Sequence, residues 1–162
     1  MLENSKYMFK KRENVAEIEE GNLLSPKFDN DGLIPVITTC SKTKEILMHG
    51  YMNVEALKLT IETEEAHYWS RSRKQIWHKG KTSGYVQKIE EIRIDDDQDS
   101  LWMSVDIGDG ASCHVGYRSC FYRSVPLGAI KNPKELEIEF KERKKIFDPK
   151  KVYKNEPNPT KL

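Results

Sequence analysis

Residues 86–107 have the sequence VQKIEEIRIDDDQDSLWMSVDI, in which two apolar segments flank a run of aspartates. Apolar and polar residues alternate along residues 86–94, and residues 101–107 are rich in large apolar side chains. Both patterns are typical of β-strands. The stretch therefore predicts two strands, with an acidic segment directly after the first.

Similar signals on either side of this stretch predict the rest of the fold. Asn53 is a suitable N-cap for a helix that continues to about residue 63. Further strands are predicted at residues 33–39, at 45–49 as the hairpin partner of that strand, at 67–72, and at 120–125. The fold class predicted from these elements is mainly β (α+β), with one central helix.

Length and charge predict one domain with two flanking segments. The 162 residues are enough for a single domain at residues 28–125. Residues 1–27 form a charged lead-in, with a short helix predicted at 14–20. Residues 126–162 form a basic extension with ten Lys or Arg against six Asp or Glu. Within it we expect one helix over residues 133–147 and a loosely held terminus beyond Pro149.

Composition excludes several classes of protein. The balance of 27 Lys and Arg against 26 Asp and Glu gives a net charge of +1, which argues against nucleic-acid binding. The sequence contains neither an apolar run of about 18 residues nor a signal peptide, so we expect no membrane association and a cytoplasmic location. Three cysteines cannot all pair, which favours metal or redox chemistry over a disulfide framework.

The first candidate site is the acidic run Asp95-Asp96-Asp97-Gln98-Asp99. Side chains alternate along an extended chain, so Asp95, Asp97 and Asp99 are predicted to share one face, with Asp96 on the other. Three convergent carboxylates favour a hard cation such as Mg²⁺. The alternative is a solvated acidic turn without an ion.

The second candidate site is the segment ASCHVGYRSC, which contains Cys113, His114 and Cys120. Two thiols and an imidazole this close together resemble half of a zinc site. A remaining ligand then has to come from elsewhere, for example from a second subunit. The alternative is two buried cysteines beside an unrelated histidine. Cys40 belongs to neither motif and is interpreted as structural.

The third candidate site is residues 69–84, WSRSRKQIWHKGKTSG. Guanidinium groups, hydroxyls and glycine-exposed backbone N–H groups suit a phosphate, and a tryptophan offers a flat face for a base or ribose. The alternative is a basic hairpin with ordinary core tryptophans. The predicted substrate-binding residues are Arg71, Arg73, Trp77, Lys79, Gly80, Thr82 and Ser83.

Together these segments resemble the phosphoribosyl-AMP cyclohydrolases of histidine biosynthesis, over about residues 28–123. The resemblance includes the acidic run and a series of short blocks in order. These blocks are GLIP at 32–35, YMN at 51–53, EAL at 55–57, EAH at 65–67, SRSR at 70–73, W-x-K-G-x-T-S-G at 77–84 and C-H-x-G-x-x-S-C-F-Y-R at 113–123.

The resemblance implies an enzyme that hydrolyses the N1–C6 bond of the adenine ring in 1-(5-phosphoribosyl)-AMP. The product is the formimino-aminoimidazole-carboxamide ribotide. It also implies a bent mixed sheet or pseudobarrel and an intertwined homodimer. Only 37 residues follow Val125, so we expect a monofunctional enzyme.

The resemblance further implies Mg²⁺ at Asp95, Asp97 and Asp99, and one Zn²⁺ per subunit with ligands from both chains. The zinc ligands in the family pattern are Cys113, Cys120 and a cysteine between the first two acids, where this chain has Asp96. Asp96 can ligate zinc in its place. Alternatively, His114 or a water fills the position.

The mechanistic hypothesis is a zinc-activated water that attacks C6, while His114 moves protons and the basic segment holds one phosphate. Mg²⁺ assists in positioning the substrate. A zinc deaminase is a rival, but its H-x-E and P-C-x-x-C patterns are absent from the sequence. A nucleic-acid-binding module is a second rival, which the near-zero net charge disfavours.

Overall fold

The structure, a computed structural model, describes residues 9–128 and 136–162. In chain order its elements are α1 (Val15–Glu20), β1 (Ile34–Cys40), β2 (Ile46–Met52), α2 (Val54–Thr63), β3 (His67–Ser70), β4 (Gln75–His78), β5 (Lys88–Ile94), β6 (Leu101–Asp106), β7 (Arg123–Ser124), β8 (Glu139–Phe140) and α3 (Pro149–Tyr153). Strands dominate the domain, which confirms the mainly β prediction.

The central sheet has four strands in the order β2-β1-β6-β5. The strand β1 pairs with β2 antiparallel and with β6 parallel, while β5 and β6 are antiparallel. The predicted mixed sheet is therefore present, and the predicted hairpin of β1 with β2 has Ile37 opposite His49. The pseudobarrel form and the intertwined dimer stay predictions.

The helix α2 begins as the sequence predicts and packs on the sheet. The Asn53 side chain accepts a hydrogen bond from the backbone N–H of Ala56 at 2.8 Å. This bond satisfies one of the free N–H groups at the start of the helix. Ala56, Leu57 and Thr60 are buried, and they join a core that includes Val36 from β1.

A buried polar network ties the sheet to the segment that contains Cys113. The Tyr68 hydroxyl lies 2.7 Å from Thr38 Oγ1 and donates a hydrogen bond to Gln87 Oε1 at 2.7 Å. The Gln87 amide then donates to Ser112 Oγ at 3.0 Å. Because buried polar groups are costly when unpaired, this chain of bonds fixes the position of the residue before Cys113.

The strand predicted over residues 67–72 is shorter in the structure and is the first strand of a hairpin. The strand β3 ends at Ser70 and pairs with β4, with His67 opposite His78. The strand β4 was not predicted, because the sequence pattern of residues 75–78 indicates part of a phosphate-binding segment. At residues 120–125, strand structure is limited to Arg123 and Ser124.

The helix predicted over residues 133–147 is wrong for the part that the structure describes. Residues 136–147 contain the short strand β8 and no helix, and residues 129–135 lie outside the described ranges. These residues make aromatic contacts with the domain instead. The ring centres of Phe140 and Tyr122 are 5.9 Å apart, and the stacked rings of Phe147 and Tyr85 are 5.5 Å apart. Tertiary contacts of this kind commonly override local helix propensity.

The terminus beyond Pro149 is also more ordered than predicted. It forms α3, in which the Asp148 side chain accepts a hydrogen bond from the Lys150 N–H at 3.0 Å. Among the helices in the described ranges, none combines the length and apolar character needed to cross a bilayer.

Candidate active site

The segment between the two predicted zinc cysteines folds back on itself. The Cys113 N–H donates to the Tyr117 carbonyl at 3.1 Å, and Gly116 has a φ of 101° at the turn. This left-handed conformation favours glycine. The turn brings the thiols of Cys113 and Cys120 close enough together for each to change the pKa of the other.

The same segment is anchored to the edge of the sheet. The Cys120 N–H donates to the Leu47 carbonyl at 2.7 Å, and the Ser119 hydroxyl donates to the Ile46 carbonyl at 2.7 Å. The Arg118 guanidinium adds a bond to a Glu45 carboxylate oxygen at 3.1 Å. The thiols are therefore held by β2 rather than by a free loop.

The two thiols shift each other's pKa in opposite directions. The hydrogen bond from Cys120 lowers the pKa of Cys113 to about 6, and the Lys79 charge acts in the same direction. The hydrogen bond to Cys113 and burial raise the pKa of Cys120. A thiolate on Cys113 beside a second thiol is a suitable half-site for a borderline-soft cation.

Lys79 lies beside these thiols. Its side chain is buried, with 2% of the residue exposed, and its Nζ lies 5.2 Å from the centre of the Trp77 ring. Burial lowers the pKa of Lys79 to about 8, while the nearby Cys120 and Cys113 oppose that shift. The sequence predicts Lys79 as a substrate-binding residue, and in the structure its ammonium group is close to the cysteine pair.

His114 is held in the same region. Its Nε2 atom is buried and has no hydrogen-bond partner within residues 9–128 and 136–162. Burial and the Lys79 charge lower the pKa of His114, and the nearby Asn158 side chain acts against them. The ring is therefore neutral at neutral pH, which lets it accept a proton.

The loop after β4 folds tightly on itself at Gly80. At Gly80 the φ is 90°, and a Cβ would lie 2.3 Å from the Val86 nitrogen, so no other residue fits without a shift. Thr82 is exposed, and Ser83 lies close enough to Tyr153 to affect the pKa of its hydroxyl. Burial raises the pKa of Tyr153, so its hydroxyl stays protonated.

The remaining predicted substrate-binding residues lie along the β3–β4 hairpin. The Arg71 guanidinium lies 4.1 Å from the centre of the Tyr51 ring, and that of Arg73 lies 5.5 Å from the Trp77 ring. Both arginines are exposed, whereas Trp77 is half-buried. The guanidiniums are thus held against aromatic faces and remain open to an anion.

The acidic run forms a separate cluster. Carboxylate oxygens of Asp95, Asp97 and Asp99 lie within 4.8 Å of one another. Asp95 Oδ1 accepts the backbone N–H groups of Asp99 and Ser100, each at 2.9 Å, so the three acids converge through a tight turn. The Lys27 Nζ lies 3.3 Å from Asp99 Oδ2 and 3.7 Å from Asp97 Oδ2.

The acidic cluster and the cysteine pair lie at opposite ends of β6. The acids precede Leu101, the first residue of the strand, and Cys113 follows Asp106, the last. A six-residue strand spans about 17 Å at 3.3 Å per residue. Asp96 is exposed within the acidic turn, so the structure does not bring it near Cys113 of its own chain.

Sequence reasoning missed two residues that contact the site, Tyr153 and Asn158. Both lie in the C-terminal extension, which carries neither a metal-binding nor a catalytic motif. Their contacts with Ser83 and His114 depend on how the extension folds back on the domain.

Comparison with known sequences shows which family this chain resembles. The sequence model of the family described as phosphoribosyl-AMP cyclohydrolase matches residues 48–122. A phosphoribosyl-AMP cyclohydrolase from Rhodopseudomonas palustris is 52% identical over 137 residues, which cover 85% of this chain and 89% of that protein. The chain belongs to the phosphoribosyl-AMP cyclohydrolase family.

Other members of the family support the assignment. A phosphoribosyl-AMP cyclohydrolase from Brucella canis is 56% identical over 109 residues, or 67% of this chain and 78% of that protein. One from a second strain of R. palustris, BisB18, is 47% identical over 140 residues, or 86% and 93%. The matched region contains the cysteine segment, the acidic turn and the β3–β4 hairpin, and the cyclohydrolase family is a family of hydrolases.

Proposed function

We propose that this protein hydrolyses the N1–C6 bond of the adenine ring in 1-(5-phosphoribosyl)-AMP, a step of histidine biosynthesis. The observation that carries the proposal is the convergence of Cys113, Cys120, His114 and Lys79 in a chain of the cyclohydrolase family. In this arrangement two thiols, groups that commonly bind metals, lie beside two groups able to hold or neutralise charge.

The cysteine pair fits a zinc ion. The low pKa of Cys113 supplies a thiolate near neutral pH, and the Cys120 thiol lies beside it as a second ligand. A zinc ion held there supplies Lewis acidity, which lowers the pKa of a coordinated water towards neutrality. The Lys79 ammonium offsets part of the negative charge that two thiolates would create.

A third zinc ligand from a second subunit is part of the proposal. Within one chain, Asp96 and the thiols are separated by the length of β6. A homodimer in which Asp96 of one chain meets Cys113 and Cys120 of the other completes the site. A carboxylate at this position gives a harder donor set than three thiolates.

The acidic turn fits a magnesium ion. Its three carboxylates converge within 4.8 Å, and oxygen donors are the ligands that Mg²⁺ prefers. Lys27 partly neutralises the cluster in the described chain. Asp95, Asp97 and Asp99 would hold the magnesium ion, and the bound ion would help to position the substrate.

The substrate phosphates are assigned to the hairpin and the loop that follows β4. Arg71 and Arg73 present exposed guanidiniums, which bind phosphate through paired hydrogen bonds. Ser83 and Thr82 add hydroxyl groups at the edge of the cysteine site. Trp77 contributes a half-buried flat face beside them.

His114 is assigned the proton transfers. Hydrolysis adds one water across N1–C6: its oxygen bonds to C6, and N1 takes a proton as the bond breaks. Because the pKa of His114 is lowered, the neutral ring accepts a proton from the attacking water and returns it to N1. Its buried, unpartnered Nε2 is the atom available for this exchange.

The test combines metal analysis with a spectrophotometric ring-opening assay on phosphoribosyl-AMP. We expect Cys113→Ser and Cys120→Ser to lose bound zinc and to lower turnover by at least about 100-fold. Cys40→Ala is the matched control, since Cys40 is buried outside the cysteine segment. Wild-type turnover with unchanged zinc in either serine variant would overturn the proposal.

A further inference from the structure

The segment of residues 12–27, which precedes β1, packs on the acidic turn. The Arg12 guanidinium donates a hydrogen bond to the backbone carbonyl of Asp97 at 2.8 Å. The backbone N–H of Lys27 donates to the Gln98 carbonyl at 2.7 Å. The sequence predicts this segment only as a charged lead-in, whereas in the structure both of its ends are bonded to the turn.

Gln98 joins the same segment to the inside of the turn. Its side chain is buried, with 5% of the residue exposed, and its φ of 59° lies in the left-handed region that is costly for a residue other than glycine. Gln98 Oε1 accepts the Ser25 N–H at 2.7 Å, and the Gln98 amide donates to the Ile18 carbonyl at 2.9 Å. These buried bonds offset the backbone cost, so the segment fixes the turn between Asp97 and Asp99.

This packing brings the ammonium group of Lys27 to the acids. The Lys27 Nζ lies 3.3 Å from Asp99 Oδ2 and 3.7 Å from Asp97 Oδ2. Because its backbone is bonded to Gln98, the ammonium stays within reach of both carboxylates. Within the described ranges, Lys27 is the only basic residue that forms an ion pair with the acidic turn.

We propose that Lys27 is an internal counter-ion that competes with the divalent cation for Asp97 and Asp99, and so sets the cation affinity of the acidic turn. This inference rests on the proposed magnesium site. The ammonium contacts two of the three carboxylates that would hold the cation, and two positive charges so close together repel each other. Without a cation, Lys27 reduces the repulsion among the converging acids.

The experiment measures the binding of Mn²⁺ to the zinc-loaded full-length protein. Mn²⁺ accepts oxygen ligands, and as the weakest-binding ion of the divalent series it leaves zinc on thiolates. The electron paramagnetic resonance signal of free Mn²⁺ gives the bound fraction. Lys27→Met removes the charge but keeps most of the side chain, and we expect it to bind Mn²⁺ about fivefold more tightly at low ionic strength. Lys27→Arg keeps the charge and should bind as the wild type does.

A matched control and the effect of salt identify the cause of the gain. Lys42 forms an exposed ion pair with Asp106 at 3.4 Å, at the other end of β6, so Lys42→Met should bind Mn²⁺ as the wild type does. The gain in Lys27→Met should nearly disappear between about 10 mM and about 1 M salt, because the charges are exposed and therefore screened. A damaged turn would bind the cation more weakly, so tighter binding cannot come from a structural defect.

The outcomes separate failure of this inference from failure of the proposed magnesium site. If the wild type binds Mn²⁺ and Lys27→Met binds it no more tightly, competition by Lys27 is refuted while the magnesium site stands. If the binding persists when Asp97→Asn and Asp99→Asn are combined, the cation lies elsewhere and both proposals fail. Both also fail if neither the wild type nor Lys27→Met binds Mn²⁺.

Discussion

The ammonium group of Lys79 and the thiol of Cys113 lie close enough to change each other's pKa, although Lys79 is almost completely buried. A buried cation is costly unless a negative charge accompanies it. Cys113 supplies that charge as a thiolate, and Lys79 in turn favours the thiolate. The two residues therefore form an electrostatic pair in which each favours the charged form of the other.

Replacing Lys79 should make the thiolate harder to form. In metal-free, reduced protein we expect Lys79→Met to raise the pKa of Cys113, because the remaining hydrogen bond from Cys120 acts without a nearby positive charge. Thiolate absorbance near 240 nm, followed against pH, measures the midpoint. Lys81→Met is the matched control, since Lys81 is exposed in the same loop. An unshifted midpoint in Lys79→Met contradicts the pairing.

The thiolate also predicts how the stability of the metal-free protein depends on pH. The pKa of Cys113 falls from 9.0 to about 6 on folding, so between these values the unfolded chain binds the additional proton. Stability is therefore expected to rise with pH from about 6, and this contribution is lost as the pH falls through 6. Urea unfolding between pH 5.5 and 8 measures it. Cys113→Ser should flatten the curve, and a wild-type curve that is already flat would refute this expectation.

Local patterns were sufficient to predict the strands of the central sheet, but not their order. The hairpin of β1 with β2, the helix capped by Asn53 and the strands β5 and β6 all follow from residues adjacent in sequence. The convergence of Asp95, Asp97 and Asp99 was predicted from alternation along an extended chain, whereas the structure reaches it through a turn. The prediction named the correct three acids, but a turn rather than an extended strand brings them together.

Long-range packing determines what the sequence could not predict. The direction of the Lys79 side chain depends on where the cysteine segment returns to the sheet, about 35 residues later along the chain. Residues 136–147 have a helical sequence pattern but form no helix, because Phe140 and Phe147 pack against aromatic residues that are distant in sequence. Asn158 could not be predicted as a neighbour of His114, because nothing in its local sequence indicates that the two residues lie close together.

The docking of the C-terminal segment of residues 146–158 should depend on Gly116. We expect Gly116→Ala to release the segment, because its Cβ would lie 2.2 Å from the Phe147 carbonyl oxygen. The rate of trypsin cleavage after Lys150 and Lys151 measures this release. Gly32→Ala is the matched control, since Gly32 also has a positive φ of 74° but no atom within 4 Å of the added Cβ. Equal cleavage rates in the two variants would count against docking at Gly116.

The polar network beneath the cysteine segment should contribute to stability. Tyr68→Phe removes the hydroxyl that joins Thr38 to Gln87 and leaves two buried polar groups short of a partner. We expect a loss of about 1–3 kcal/mol in the free energy of unfolding. Chemical denaturation measures it, with Tyr51→Phe as a control on a half-buried ring outside this network. A loss no larger than in the control would show that the network is not stabilising.

The proposed sharing of zinc ligands between subunits predicts complementation between two inactive variants. Asp96→Ala and Cys113→Ser should each fail to bind zinc and should each be inactive. In a mixed dimer, one site carries both substitutions and the other carries neither, because Asp96 and Cys113 of one site come from different chains.

Unfolding and refolding the two variants together should therefore restore activity and zinc binding at one site per mixed dimer. Asp109→Ala, an exposed acid outside the acidic turn, is the control that should retain both alone. If mixing restores nothing although mixed dimers form, each site takes its ligands from one chain or Asp96 is not a ligand. Zinc retained by Asp96→Ala alone would exclude Asp96 and leave the position to His114 or to water.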